Sequence, residues 1–177
     1  SRMMDIYRYI DRNRIQFDFI RMNNQKNYFD DEIRSLGGRI FEVTHPRTSI
    51  VKHIIDMYRV FKDNGPFAAV HTHTSYHSAL VLAVAFSAGI ERRVCHARTT
   101  STTHKKNLLL LLTLFISRRM SNMFSTSRLA ISMESAKFIY GKSAVRNGKV
   151  EIIPNAINLD NFLKVVNLEK ERTKQEL

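Results

Sequence analysis

A single cysteine, Cys95, stands among 177 residues, which excludes a disulfide framework within the chain and a zinc cage built of thiolates. That scarcity fits a reducing compartment, with the cytoplasm as the default. Proline and glycine are also sparse, at three and six residues, and a content of 44% hydrophobic and 25% charged residues is that of a folded chain rather than a disordered one. At this length one domain is expected. No apolar run approaches the roughly 20 residues needed to span a bilayer. The most apolar stretch, Leu108 to Leu112 continued by Leu114, Phe115 and Ile116, is expected as a buried helix. Its rival is a helix lying in a membrane interface, since Lys105, Lys106, Arg118 and Arg119 flank it. No secretory leader is visible: Ser1 to Ile10 already has the spacing of an amphipathic helix.

Acidic residues are outnumbered, 16 against 28 Lys and Arg, giving a formal net charge of +12. Such a field attracts phosphates, nucleic acid or anionic lipid. The basic residues are scattered and lack the dense runs of a nucleic-acid tail, so no nucleic-acid partner is expected. Standard nucleotide turns are missing too, with neither a Walker A motif nor G-x-G-x-x-G, and no G-x-S-x-G elbow marks a hydrolase. Cys95 sits inside an apolar strand, where it reads as a structural residue.

What is present is alternation. Helical spacing of Met3, Met4, Ile6, Tyr7 and Ile10 leads into an alternating strand, Ile15 to Ile20. Tyr28 to Leu36 is a short helix with Asp30, Asp31 and Glu32 in its first turn, ended by Gly37-Gly38. Then come a strand (Arg39 to Thr44), a helix (Ile50 to Phe61), a strand (Phe67 to Val70), a helix (Tyr76 to Ala88) and a strand (Arg92 to His96). A long helix (Lys105 to Asn122), a strand (Leu129 to Ser132), a helix (Glu134 to Tyr140) and a last strand (Val150 to Ile153) complete the series. Strands alternating with helices through short connections predict an α/β fold, a three-layer Rossmann-like parallel sheet. Ligands of such sheets sit outside the carboxyl ends of the strands.

Those ends are polar. After the Phe67 strand come His71, Thr72, His73, Thr74 and Ser75. Alternation sends His71 and His73 to one side, a spacing that could bind metal, but no third ligand is near in sequence and no metal is expected. The same loop could bind sugar, or could merely cap the next helix through Thr74 or Ser75. After the Arg92 strand come His96, Ala97, Arg98 and Thr99, followed by further hydroxyls. Hydroxyls and imidazoles exchange hydrogen bonds with sugars in both directions, and Arg98 can grip a phosphate bidentately. Ser132 and Glu134 stand where the Leu129 strand turns into a helix start, a place for an anion, a hydroxyl or a simple N-cap.

The segment Glu151 to Phe162 (EIIPNAINLDNF) is similar to the V-I-P-N-G/A-I-D-x-x-x-F segment of GT-B glycosyltransferases of family 4. With Val70-His-Thr-His73 and Asp31-Glu-Ile-Arg-Ser-Leu-Gly-Gly38, the chain resembles their bacterial exopolysaccharide and capsule subgroup. The resemblance implies that residues 1–155 form the N-terminal, acceptor-side domain without its first strand. It also implies that residues 156–177 are the linker and first helix toward a C-terminal donor-binding domain. It further implies a metal-independent retaining glycosyltransferase that needs no cofactor. Its nucleotide-sugar donor would act as co-substrate, its acceptor would be a saccharide or lipid-diphosphate-linked, and its place would be cytoplasmic, peripheral at an anionic membrane surface. By motif position, His96 corresponds to the catalytic loop histidine. His71 and His73 match the His-x-His element, Ser132 and Glu134 the Ser-Glu pair beside the cleft, and Asn155 the Pro-Asn hinge. Where relatives carry a second histidine or His-Asn, this chain has Ala97-Arg98-Thr99, and Arg98 could mean a phosphorylated or lipid-diphosphate acceptor. The competing reading is a noncatalytic Rossmann-like module that binds anions or nucleic acid, or an inactive remnant of such an enzyme.

Overall fold

Helical and alternating apolar periods follow one another along the chain, and each produces the element its period demands. The structure, a computed structural model, describes residues 2–23, 25–101 and 108–155. Expectations for 105–107 and for 156–177 lie outside the described residues. The elements are α1 (Arg2–Tyr9), β1 (Phe19–Arg21), α2 (Asp30–Ser35), β2 (Ile40–Glu42), α3 (Ile50–Asp63), β3 (Ala69–Thr72), α4 (Ser78–Ser87), β4 (Arg92–Ala97), α5 (Leu108–Phe124), β5 (Ser127–Ala130), α6 (Met133–Tyr140), α7 (Lys142–Arg146) and β6 (Glu151–Ile152). A single 3₁₀ turn, Ser75–His77, leads into α4.

Every described strand pair is parallel, as an α/β Rossmann-like fold requires. β1 pairs with β2, and β3-β4-β5-β6 form a second sheet in chain order. In β2, Ile40 packs with Met4, Tyr7 and Ile33 of α1 and α2, while the next residue, Phe41, packs with Met57, Val60 and Phe61 of α3. The first sheet is thus sandwiched between helices, giving three layers. The α3 core also takes in Val70 of β3 and Val81, Val84 and Ala85 of α4, so the two sheets share apolar interior. In the second sheet Cys95, Ala97 and Ala130 face Leu82, Ala136, Ile139 and Tyr140 of α4 and α6. Full burial of a side chain such as Leu82 contributes about 1.5–3 kcal/mol.

Several boundaries differ from expectation for visible reasons. The strand expected from Ile15 begins only at Phe19, because Phe17 stacks on Tyr7 with centroids 5.4 Å apart and Asp18 turns its carboxylate to Arg39 at 2.6 Å. Gly37-Gly38 ends α2 as expected: Gly37 takes φ +87°, and a Cβ on Gly38 would lie 2.8 Å from the Phe17 carbonyl oxygen. Helix α7 was not expected, since Gly141 looked like a plain stop. At φ +87° it ends α6 and also opens the next turn. The helix expected to be buried, α5, is buried only at Leu114, Ser117 and Ser121, whereas Leu108, Leu109, Leu112, Phe115 and Met123 are exposed. No helix among the described residues is long and apolar enough to cross a membrane.

Candidate functional site

Parallel register carries the strand-end residues to one edge. His71 pairs with Val94 and Thr72 with Cys95, so His73 comes beside His96. Residues side by side in register share a face, which places His71, His73 and His96 on one side and Thr72 and Cys95 on the other. The outward set meets: the rings of His71 and His73 are 4.2 Å apart, His71 and His96 stack at 5.5 Å, and His73 and His96 lie at 5.1 Å. One nitrogen from each ring falls within 4.8 Å of the others.

The inward set closes the loop beneath them. The Ser78 hydroxyl lies 3.1 Å from that of Thr72 and accepts from the Thr74 backbone N–H at 3.1 Å. The alternative reading, in which Thr74 or Ser75 merely caps the next helix, is not met: neither side chain accepts a cap bond, and Ser78 at the start of α4 reaches back instead. Ser75 has φ +55°, a left-handed conformation that is strained for a residue with a Cβ.

All three histidines are held neutral. Burial of the ring, then the charges of His96 and Arg98, push His71 down to about 4. Burial, then the neighbouring imidazoles and Arg98, push His73 to about 3. His96 is lowered by burial and then by Arg98. Among the described residues, neither nitrogen of His73 nor of His96 has a hydrogen-bond partner, although all four atoms are buried. An unsatisfied buried polar group costs about 1–3 kcal/mol, so the fold holds these rings at its own expense. Such a cluster is built to receive something that donates and accepts, or that binds nitrogen lone pairs.

The other expected site residues gather on the same edge. Backbone bonds from Ile131 N–H to the Ala97 carbonyl and from Ile153 N–H to the Ala130 carbonyl align the ends of β4, β5 and β6. Arg98 donates to the Asn155 side-chain oxygen at 2.7 Å. Asn155 thereby holds the guanidinium beside the imidazoles. Ser132 is the N-cap of α6: its hydroxyl accepts from the Ser135 N–H at 3.2 Å, and the Ser135 hydroxyl accepts from the Ser132 N–H at 3.1 Å. Glu134, one residue into the helix, has its carboxyl lowered by its own backbone N–H and by the Ser132 hydroxyl. Thr99 is half-buried at the mouth of its loop. Of the expected residues, then, the three histidines form one cluster, Arg98 and Asn155 a pair, and Ser132 with Glu134 a capped helix start.

The chain is similar to a bacterial protein named for sugar transfer. Over 161 residues it is 34% identical to "Putative glycosyltransferase EpsF" of Bacillus subtilis (strain 168), a match covering 90% of this chain and 42% of that protein. The chain therefore spans less than half the length of this curated relative. No family profile matches the chain, and no solved structure matches it.

Sequence reasoning missed a second histidine pair, His53 with His77. His53 is fully buried in α3; its Nδ1 meets the Thr44 carbonyl at 2.6 Å and its Nε2 meets His77 Nε2 at 2.9 Å. The carbonyl only accepts, so His53 Nδ1 carries a proton, and the Nε2–Nε2 contact is bridged by a proton on one of the two rings. No signal in the sequence links residues 24 positions apart without a motif. A basic cleft of about 500 Å³ lies elsewhere, at the amino ends of β5 and β6, lined by Arg118, Arg119, Arg128 and Lys149. It is remote from the histidines and belongs with the exposed face of α5.

Proposed function

We propose that this chain is the acceptor-side domain of a retaining glycosyltransferase of the GT-B type, family 4. The enzyme transfers a sugar from a nucleotide donor to a saccharide or lipid-diphosphate-linked acceptor in surface polysaccharide synthesis. The observation that carries the reading is the 34% identity to the protein named "Putative glycosyltransferase EpsF" across 90% of this chain. The strand-end chemistry supports it: neutral imidazoles, hydroxyls and one guanidinium on a single edge suit a polyhydroxyl ligand carrying a phosphate.

In this reading a second domain holds the nucleotide diphosphate of the donor, and the present domain orients the acceptor and excludes water. His96, neutral and without a protein partner among the described residues, offers one N–H and one lone pair to sugar hydroxyls. His71 and His73 fix its ring. Arg98, steadied by Asn155, takes the acceptor phosphate in a bidentate grip. The exposed face of α5, with Leu108, Leu112 and Phe115 beside Arg118 and Arg119, rests on anionic lipid at the cytoplasmic side, near a lipid-linked acceptor.

The test is transfer of labelled sugar from a panel of nucleotide sugars to a lipid-linked acceptor, with full-length protein carrying His96 or His96→Ala. A fall of about 100-fold, or about 2.7 kcal/mol of transition-state stabilisation, is expected. Unchanged activity removes His96 from the site. Absence of transfer with every donor favours a noncatalytic binding module instead.

A further inference from the structure

We propose that the basic cleft beside α5 binds one anionic phospholipid, its phosphate held by Arg118, Arg119, Arg128 and Lys149 and its hydrocarbon entering the apolar groove next to them. The proposal deepens the proposed contact of α5 with anionic lipid and rests on that contact alone, not on sugar transfer or on the histidines. General attraction to an anionic surface needs only net charge. A site needs uncommitted donors and a place for the tail, and both are present.

The cleft is cationic throughout. No acidic residue lines it, and among the described residues none of its four cations is paired with a carboxylate, whereas the ion pairs all fall between Asp5 and Asp56. Its arginines are anchored but not spent. Arg118 Nε donates to the Phe138 carbonyl at 2.8 Å and Arg128 Nη2 to the Asn122 carbonyl. Each guanidinium carries five N–H donors, so most remain for phosphate oxygens. Arg128 Nε is buried and has no partner among the described residues, an unmet donor that such an oxygen would satisfy. Free carbonyls at the carboxyl ends of α5 and α6 would repel an anion. Those of Asn122, Phe138 and Tyr140 are already taken by Arg128, Arg118 and the Asn122 amide.

A second cavity decides the ligand. A groove of about 510 Å³ lined by Ile116, Met120 and Met123 adjoins the cleft and shares Phe115, Arg119 and Asn122 with it. Phe115, Ile116 and Met123 are exposed, and the Arg119 guanidinium lies over the Phe115 ring at 5.5 Å, where the two cavities meet. A phosphate joined to hydrocarbon matches a cationic cavity joined to an apolar one. A free phosphate ester would leave the groove uncovered. The 17 residues of α5 run about 25 Å from this cleft back toward the carboxyl edge of the sheet, so a lipid held here pins the far end of the helix.

The experiment measures flotation of full-length protein with phosphatidylcholine vesicles that contain or lack phosphatidylglycerol. No sugar donor or acceptor is added, so the site can fail while the transferase reading stands. Saturable binding that requires phosphatidylglycerol is expected. General attraction loses about 5-fold with each charge removed, and Arg146→Gln, on α7 but not lining the cleft, should lose no more than that. Arg128→Gln should lose more than about 30-fold, since charge-assisted hydrogen bonds go with the charge. Arg118→Lys keeps the charge but not the planar fork and should still lose about 10-fold, where general attraction predicts no change. Circular dichroism checks the fold of each variant. Met123→Ser, at an exposed position, should weaken vesicle binding about 10-fold and leave the binding of soluble glycerol phosphate unaltered. Equal losses in Arg146→Gln and Arg128→Gln, undiminished binding by Arg118→Lys, or binding without phosphatidylglycerol would each overturn the site. Glycerol phosphate that binds as tightly as the vesicles would overturn the lipid as its ligand.

Discussion

Two groups of histidines meet in sequence at His73 and His77 and differ in whether the fold uses their nitrogens. His53 and His77 are linked to each other and to the Thr44 carbonyl, and His77 Nδ1 stands 3.4 Å from the Thr74 hydroxyl. Among the described residues, the buried nitrogens of His73 and His96 have no such links. The first group is explained by stability alone. The second costs stability, and it stands at the carboxyl edge of a parallel sheet, where ligands of this architecture bind. Partner accounting separates a structural histidine from a functional one better than burial does, because both groups are largely buried.

The sharpest way to break this contrast is to delete one member of each group and measure both activity and stability. His96→Ala is expected to lower transfer by the full-length enzyme about 100-fold while leaving its melting temperature unchanged or higher, since it removes two unsatisfied buried nitrogens. A lower melting temperature would mean that His96 is structural after all. His53→Ala should do the reverse in stability, losing about 2 kcal/mol in denaturant unfolding through broken hydrogen bonds and an unfilled cavity. If the two substitutions destabilise equally, the distinction drawn from partner accounting is lost.

Much of this was legible beforehand, and the exceptions share a cause. The order of elements could be read because helices and strands impose periods on apolar residues, and every expected strand within the described residues formed, with ends moved by a few residues. His71, His73, His96, Arg98, Thr99, Ser132 and Glu134 could be placed on one edge because α/β sheets gather their strand ends there, whereas Asn155 came from the resemblance alone. The convergence of three imidazoles was not legible, since it depends on register: one residue of slip between β3 and β4 would turn His96 to the opposite face. Nor was the exposure of α5. A run of leucines shows that a face seeks an apolar partner, not that the chain supplies one, and Leu108 and Leu109 remain 83% and 71% exposed. The His53–His77 link was invisible for the same reason, being a tertiary pairing between α3 and the turn before α4.

Acid offers a gentler probe of the partnered group. Burial, then His53 and His45, holds His77 down to about 4, against about 6.5 for a free imidazole. The folded state therefore resists a proton that the unfolded chain accepts. The contribution is intact above about pH 6.5 and is lost progressively as pH falls from there toward 4, where the folded ring also protonates. Allowing for the part of the ring that remains exposed, the loss is of order 1–2 kcal/mol. His77→Gln should flatten the fall in unfolding free energy between pH 6.5 and 4, measured by denaturant titration at each pH. An unchanged slope would show that the fold does not hold His77 neutral.

The smallest expected effect concerns Ser132, which sits on the site edge yet has its hydroxyl committed to α6. It accepts from the Ser135 N–H, and Ser135 answers through its own hydroxyl, so two orphan donors of the helix start are satisfied reciprocally. Losing that cap by Ser132→Ala should cost about 1 kcal/mol of stability, and Ser132→Gly only a few tenths. If the cap is the whole of its role, transfer activity in the full-length enzyme should follow stability and be nearly restored in the glycine variant. Activity that stays low in Ser132→Gly while stability recovers would put the hydroxyl in contact with the substrate. Ser132 would then belong with the histidines whose nitrogens the fold leaves free.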